Sequence, residues 1–182
     1  MITEIAEHSV RLDLLPGMAN IIDIGCRGFQ FTEYMRSLGH TVYPIDIDAF
    51  HNSIYYRIAI TDKDGRVGIQ YSGDPQATRI KEGNEIPSMT LDSFMNSIDL
   101  PFVDLIKIDV EGAEREIIMS LKKAPAKQLS IEFHLHTGIY TQNEVRQMEE
   151  KLYQLGYNIE QHKLEERHGA GFSYWDSLFI LR

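Results

Sequence analysis

Six ionisable residues fall into two short alternating runs. Lys107, Asp109 and Glu111 share one face if the chain stays extended there, and Glu132, His134 and His136 share one face of the next extended run. Histidine is the side chain whose ordinary pKa suits proton transfer near neutral pH, and a neighbouring carboxylate can orient its ring. His134, with Asp109 or Glu132 as the orienting group, is therefore the candidate base for removing a proton from a hydroxyl. A divalent cation on Asp109, Glu111, Glu132 and His134 is the other chemistry these donors can support. The spacing matches no recognised metal motif, and no metal is assigned. The plain alternative is structural, with Lys107 paired to a carboxylate and the histidines bonded to backbone groups.

A second constellation lies nearer the N-terminus. In Asp23-Ile24-Gly25-Cys26-Arg27-Gly28, Gly25 permits a sharp turn and Gly28 permits close approach of a ligand to the backbone. An acid at the end of the following strand, about 20 residues on, can hold both hydroxyls of a ribose, and Asp46 stands there. Together they suggest an adenosine ligand. A dinucleotide site would show G-x-G-x-x-G, and its dehydrogenases often carry Tyr-x-x-x-Lys; the sequence has neither, so an NAD(P)-dependent oxidoreductase is the rival reading. Cys26 sits where the turn demands a small side chain and is read as structural.

The elements that must position these residues alternate along the chain. Ile21 to Ile24 reads as a strand, Thr32 to Leu38 as a helix stopped by Gly39, and Thr41 to Ile45 as a second strand ending in Asp46 and Asp48. Tyr55 to Ile60 is a third strand, with only about eight residues before it, fewer than a parallel crossover helix usually needs. Asp64-Gly65 marks a turn, Val67 to Tyr71 an edge strand, and Ser72 to Pro87 a mobile surface loop. Val103 to Ile108 is a buried strand, followed by a helix with Ala113, Ile117, Ile118 and Leu121 on one face. Leu129 to Leu135 repeats the pattern. Thr141 and Glu144 form a capping box opening a helix that turns Val145, Met148, Leu152 and Leu155 to the core and stops at Gly156. Tyr157 to Leu164 and Tyr174 to Leu181 close the chain as an antiparallel hairpin. Its loop, Glu165 to Ser173, is expected at the rim of the site, with His168, Tyr174 and Trp175 available to an acceptor. Tyr140 is read as a packing residue. The alternation predicts an α/β fold with an open, mostly parallel sheet whose ligand lies beyond the carboxyl ends of the strands.

The run Asp104-Leu105-Ile106-Lys107-Ile108-Asp109-Val110-Glu111-Gly112-Ala113-Glu114, followed by Ile131-Glu132-Phe133-His134, resembles the FkbM-type S-adenosylmethionine-dependent methyltransferases. The resemblance extends through Asp23-Ile24-Gly25, through Ala59 to Gly65 and through Thr90-Leu91-Asp92, in the family's order. Two departures stand out: Arg27 occupies the place of the family's asparagine, and Gly28 comes one residue early. The resemblance implies a Rossmann-like class I methyltransferase fold over residues 1–182, with a seven-stranded, mostly parallel sheet, a C-terminal antiparallel hairpin and helices on both faces. It places the Gly25 loop at the methionine end of the cofactor, Asp46 at the ribose, and Thr61 and Asp62 at the adenine edge. Asp23, Arg27, Gly28 and Asp109 complete the expected cofactor set, and Asp109, Glu132 and His134 the catalytic one. The activity implied is O-methylation of a small molecule, a sugar or secondary metabolite; a non-catalytic module on the same fold is a further rival.

The remaining composition narrows the classes. With 182 residues, 43% hydrophobic and 25% charged, the chain can bury a full core without a staple. A net charge of −9, from 27 acids against 18 bases, disfavours nucleic-acid partners. Cys26 is the single cysteine, Glu4 and Glu7 interrupt the first residues, and no apolar run approaches the ~20 residues that span a bilayer. A cytoplasmic protein with neither signal peptide nor membrane span is expected, its oligomeric state open.

Overall fold

The computed structural model describes residues 1–50, 54–71, 78–135, 138–167 and 172–182, without the side chains of 164–175. In chain order the strands are β1 (Thr3–Ile5), β2 (His8–Val10), β3 (Asn20–Ile24), β4 (Thr41–Asp46), β5 (Tyr56–Arg57), β6 (Ala59–Ile60), β7 (Gly65–Gln70), β8 (Arg79–Met89), β9 (Val103–Ile108), β10 (Ala126–His134), β11 (Tyr157–Arg167) and β12 (Phe172–Leu181). The helices are α1 (Gln30–Ser37), α2 (Leu91–Ser97), α3 (Glu114–Ser120) and α4 (Gln142–Gln154).

Seven strands form the main sheet in the order β11-β12-β10-β9-β3-β4-β5. The pairs β10–β9, β9–β3, β3–β4 and β4–β5 are parallel, whereas β12 runs antiparallel to both β10 and β11. This is the Rossmann-like, seven-stranded arrangement with a C-terminal hairpin. The central strands are buried on both faces, so alternate residues feed two cores. Ile21, Val42 and Leu105 face Phe31 and Met35 of α1 together with Ile5 and Val10 of the β1–β2 hairpin. Ile22, Ile24, Ile106 and Ile108 face the other way, toward Phe94 of α2, Ile117 and Ile118 of α3, and Val145, Met148 and Leu152 of α4. The capping box of α4 is formed as read: the Thr141 side chain accepts from the Glu144 N–H, and the Glu144 carboxylate from the Thr141 N–H.

Three elements differ from the sequence reading. The stretch Tyr55 to Ile60 is not one strand: β5 closes the main sheet, and β6 joins a second sheet of order β6-β8-β7. Residues 79–87, read as loop, belong to the eleven-residue strand β8, while 72–77 lie outside the described residues. Lys81 to Glu85 are exposed, so no apolar alternation marks them; antiparallel pairing with β7 makes the strand. Where these strands cross, a Cβ on Gly83 would lie 2.6 Å from the Gly68 Cα, which requires glycine. The third is the β1–β2 hairpin, turning at Ala6 and Glu7 in the left-handed region, whose three-residue strands are too short to show a period.

Candidate active site

The carboxyl ends of β3, β4, β9 and β10 open onto a cleft of about 680 Å³, within the usual size of a small-molecule site. One part of it is made by backbone. The Gly25 and Cys26 N–H groups both donate to the Ile45 carbonyl (2.9 and 3.1 Å), and the Asp109 N–H donates to the Ile24 carbonyl (3.0 Å). Gly25 has φ +82°, and a Cβ there would fall 1.7 Å from the Asp109 carbonyl oxygen. The turn after β3 and the turn after β9 therefore touch main chain to main chain, which only glycine allows.

The other part is made by charge. Lys107 Nζ, almost wholly buried, donates to the Gly25 carbonyl (2.7 Å) and pairs with Asp23 Oδ1 (3.1 Å) and Asp109 Oδ2 (3.3 Å). Burial alone would lower its pKa, but the two carboxylates outweigh that and raise it. Asp23 is fully buried and accepts a second bond, 2.5 Å, from the Thr32 hydroxyl. His134 is 2% exposed; its Nδ1 lies 2.5 Å from Glu114 Oε1, and its Nε2 lies 3.4 Å from Asp109 Oδ1 and 3.7 Å from both Glu111 Oε1 and Glu132 Oε1. Burial opposes the charged ring, yet Glu114 and Asp109 raise its pKa well above the ordinary value. Both ring nitrogens face carboxylate oxygens, an arrangement that favours the protonated ring. Asp109 shows the converse: burial disfavours its charge, and Lys107, His134 and His8 restore it, well below the ordinary carboxylate range. Glu132 is pushed up to about 7 by burial and by the Asp109 charge.

The structure brings Asp109, Glu132 and His134 together and places Asp23, Gly25, Arg27, Gly28 and Asp46 along the same cleft. Arg27 pairs with Asp48 at 3.4 Å. Burial pushes Asp46 up to about 6. Thr61 and Asp62 do not line the cleft: the Thr61 hydroxyl donates to the Lys63 carbonyl, closing a local turn, and Asp62 is exposed. Ile58, Ala59 and Ile60 form the wall there instead. Cys26 is buried and its thiol pushed up by burial and by Asp23 and Asp46, as a structural residue would be. His136 and His168 lie outside the described residues, as do the side chains of Tyr174 and Trp175; pairing of Tyr174 with His134 sets the hairpin at this end of the sheet.

Four residues escaped the sequence reading. Glu114 is wholly buried on the face of α3 that carries Ile117 and Ile118, and a carboxylate on an apolar stripe was its signal. Tyr140, read as packing, also bonds: its hydroxyl accepts from the His134 N–H (2.5 Å) and donates to Glu114 Oε2 (3.0 Å). Arg79, at the start of β8, lines the cleft. His8 reaches across from β2 to place Nε2 3.3 Å from Asp109 Oδ2; 101 residues separate the two, and no local pattern announces the contact.

The family model of the methyltransferase FkbM domain matches residues 25–159. The chain belongs to this family. No curated protein matches the sequence significantly. Solved structures of similar fold include a TehB-like SAM-dependent methyltransferase from Corynebacterium glutamicum (15% identical, TM-score 0.48, covering 93% of this chain and 84% of that one). Another is the N-methyltransferase NodS from Bradyrhizobium japonicum (12%, 0.48, 91% and 87%). A third is a Burkholderia thailandensis 1,6-didemethyltoxoflavin-N1-methyltransferase with S-adenosylhomocysteine bound (13%, 0.48, 90% and 71%). The cofactor of this FkbM methyltransferase is S-adenosylmethionine. The residues present suit it: a turn without side chains at Gly25 and Gly28, a carboxylate at Asp46, and an apolar wall from Ile58 to Ile60. No described helix is long and apolar enough to cross a membrane.

Proposed function

We propose that this FkbM methyltransferase acts on a hydroxyl oxygen of a small molecule, with a sugar or secondary metabolite as the acceptor class. One observation carries the proposal: the Glu132 carboxylate, 18% exposed, lines the cleft beside Asp109 and accepts no hydrogen bond from any described residue. A carboxylate so placed suits a hydroxyl donor, whose proton must leave as the oxygen takes the methyl.

In this reading Asp46 accepts from the ribose hydroxyls, the Gly25 turn admits the methionine end, and Ile58 to Ile60 flank the adenine. S-adenosylmethionine supplies an electrophilic methyl on a positively charged sulfur. Direct displacement needs the acceptor oxygen in line and about 3–3.5 Å from that methyl, so positioning is the protein's main contribution. Glu132 receives the hydroxyl proton. Asp109 holds the rim in register through Lys107 and His134. His134, expected as the base, serves in this reading as a positioning residue, because both its ring nitrogens are already engaged by carboxylates, Nδ1 by Glu114 and Nε2 by Asp109.

Calorimetric titration with S-adenosylhomocysteine and with NAD on one preparation, followed by a screen of sugar and alcohol acceptors against amines, tests the proposal. Binding of the homocysteine product and methylation of hydroxyls are expected. Binding of NAD alone would favour an oxidoreductase, and methylation of amines alone would overturn the oxygen-acceptor reading.

A further inference from the structure

The N-terminal hairpin lies outside residues 25–159, yet it delivers a side chain into the charged end of the cleft. Ser9 of β2 donates to Asp176 of β12 at 2.8 Å, and the Arg11 N–H donates to Gln128 of β10 at 3.0 Å, so the hairpin is pinned across the sheet. His8, beside Ser9, is 2% exposed, and its ring's single polar contact among the described residues is Asp109. Its Nδ1 is buried without a hydrogen-bond partner among those residues. An imidazole so deeply buried and aimed by one nitrogen at a carboxylate pair needs a reason beyond packing.

We infer that His8, Asp109 and Glu132 form a binding site for one divalent cation. One donor atom of each, a ring nitrogen of His8 and a carboxylate oxygen from the other two, lies within 4.8 Å of both others. Bonds of about 2.0–2.3 Å from a central ion put ligand atoms up to about 4.6 Å apart, so small side-chain shifts suffice to close the site. The donors belong to one connected network in which Lys107 and His134 join the carboxylates of Asp23, Asp109, Glu111, Glu114 and Glu132. Three ligands from three elements leave coordination positions open to the cleft, as a site that handles a substrate requires. A nitrogen ligand beside two carboxylates selects Mn²⁺ or Zn²⁺ over Mg²⁺ or Ca²⁺. The use of the ion, though not its site, rests on the oxygen-acceptor reading: it would hold the acceptor oxygen and lower its pKa, and the proton would pass to the Glu132 carboxylate oxygen that does not bind the ion.

The test uses the full chain, stripped with a chelator and free of cofactor. MnCl₂, ZnCl₂ and MgCl₂ are titrated calorimetrically, with Mn²⁺ also followed by electron paramagnetic resonance. One Mn²⁺ or Zn²⁺ per chain is expected, with Mg²⁺ binding at least tenfold more weakly. His8→Gln and Glu132→Gln should each weaken Mn²⁺ binding tenfold or more, and Asp46→Asn should leave it unchanged. Glu132→Gln keeps size and shape, so it serves if His8→Gln lowers the melting temperature too far. Failure of the stripped wild type to take up Mn²⁺ or Zn²⁺ saturably, or undiminished binding by both variants, overturns the inference. S-adenosylhomocysteine titrated into the metal-free protein keeps the two readings apart: its binding without metal uptake leaves the methyltransferase reading standing and removes only the ion.

Discussion

The turns that follow β3 and β9 sit side by side at the same end of the sheet and are built on opposite principles. The first is held by main-chain bonds to Ile45 and by the absence of side chains at Gly25 and Gly28. The second is held by charge, with Asp109 between Lys107, His134 and His8, and Glu111 adopting a left-handed backbone at the bend. A turn made of backbone presents a fixed shape whatever the pH or salt, which suits a cofactor that is always the same. A turn made of paired charges responds to each new charge brought near it, which suits an acceptor whose proton must leave. The two are coupled because Lys107 bonds to both, through the Gly25 carbonyl and Asp109.

The contrast is tested most severely at the point of contact. Gly25→Ala, whose Cβ would meet the Asp109 carbonyl oxygen at 1.7 Å, should force the two turns apart. It is expected to cost at least about 3 kcal/mol of stability and to abolish S-adenosylhomocysteine binding, measured by chemical denaturation and calorimetry. Lys107→Met leaves the buried Asp23 and the half-buried Asp109 without their cation and should cost about 3–5 kcal/mol. Loss under 1 kcal/mol in a denaturant titration would mean the charged turn does not depend on that pair.

Smaller effects should separate the roles of the two ends. Glu132→Gln is expected to lower turnover about 100-fold or more while shifting S-adenosylhomocysteine affinity less than about threefold. Equal loss of both would place Glu132 on the cofactor side. Asp46→Asn should do the reverse, weakening the cofactor about tenfold while changing turnover at saturation little.

The same variant carries a pH signature. Burial raises the folded pKa of Asp46 to about 6, above the ordinary 3.8, so its contribution to stability is fully present below about pH 4 and is lost as pH rises through 6. Without cofactor, Asp46→Asn should therefore be more stable than wild type at pH 8, by at most about 3 kcal/mol, and equal to it near pH 4. Thermal melts at the two pH values read this directly. A gain that persisted at pH 4 would point to packing in place of ionisation.

Much of this was legible in the order of residues. The strands β3, β4, β9 and β10 are apolar runs that end in acids or glycine, and α4 announces itself by its cap and stripe. Strand periodicity was enough to set Asp109 beside Glu132 and His134, since parallel neighbours end together at one rim. Strand β8 was not legible, because its exposed polar residues form a strand only when β7 supplies the hydrogen bonds. Nor did the linear pattern show that the Thr61 hydroxyl donates to the Lys63 carbonyl in a local turn, with Ile58 to Ile60 lining the cleft beside it.

By itself, then, the sequence determined the α/β alternation, the glycine turn and the acids that face the cleft, all of which depend on local pattern and spacing, and its motifs carried the resemblance that the family model matches. Only the tertiary structure decided what those acids do. Whether a histidine is a base or a fixed cation depends on how many carboxylates surround it, and for His134 these come from β10, α3 and the turn after β9. His8 likewise acquires its place through a hairpin docked on distant strands, by bonds to residues 117 and 167 positions away. Electrostatic character belongs to neighbours in space, and no window along the chain contains them.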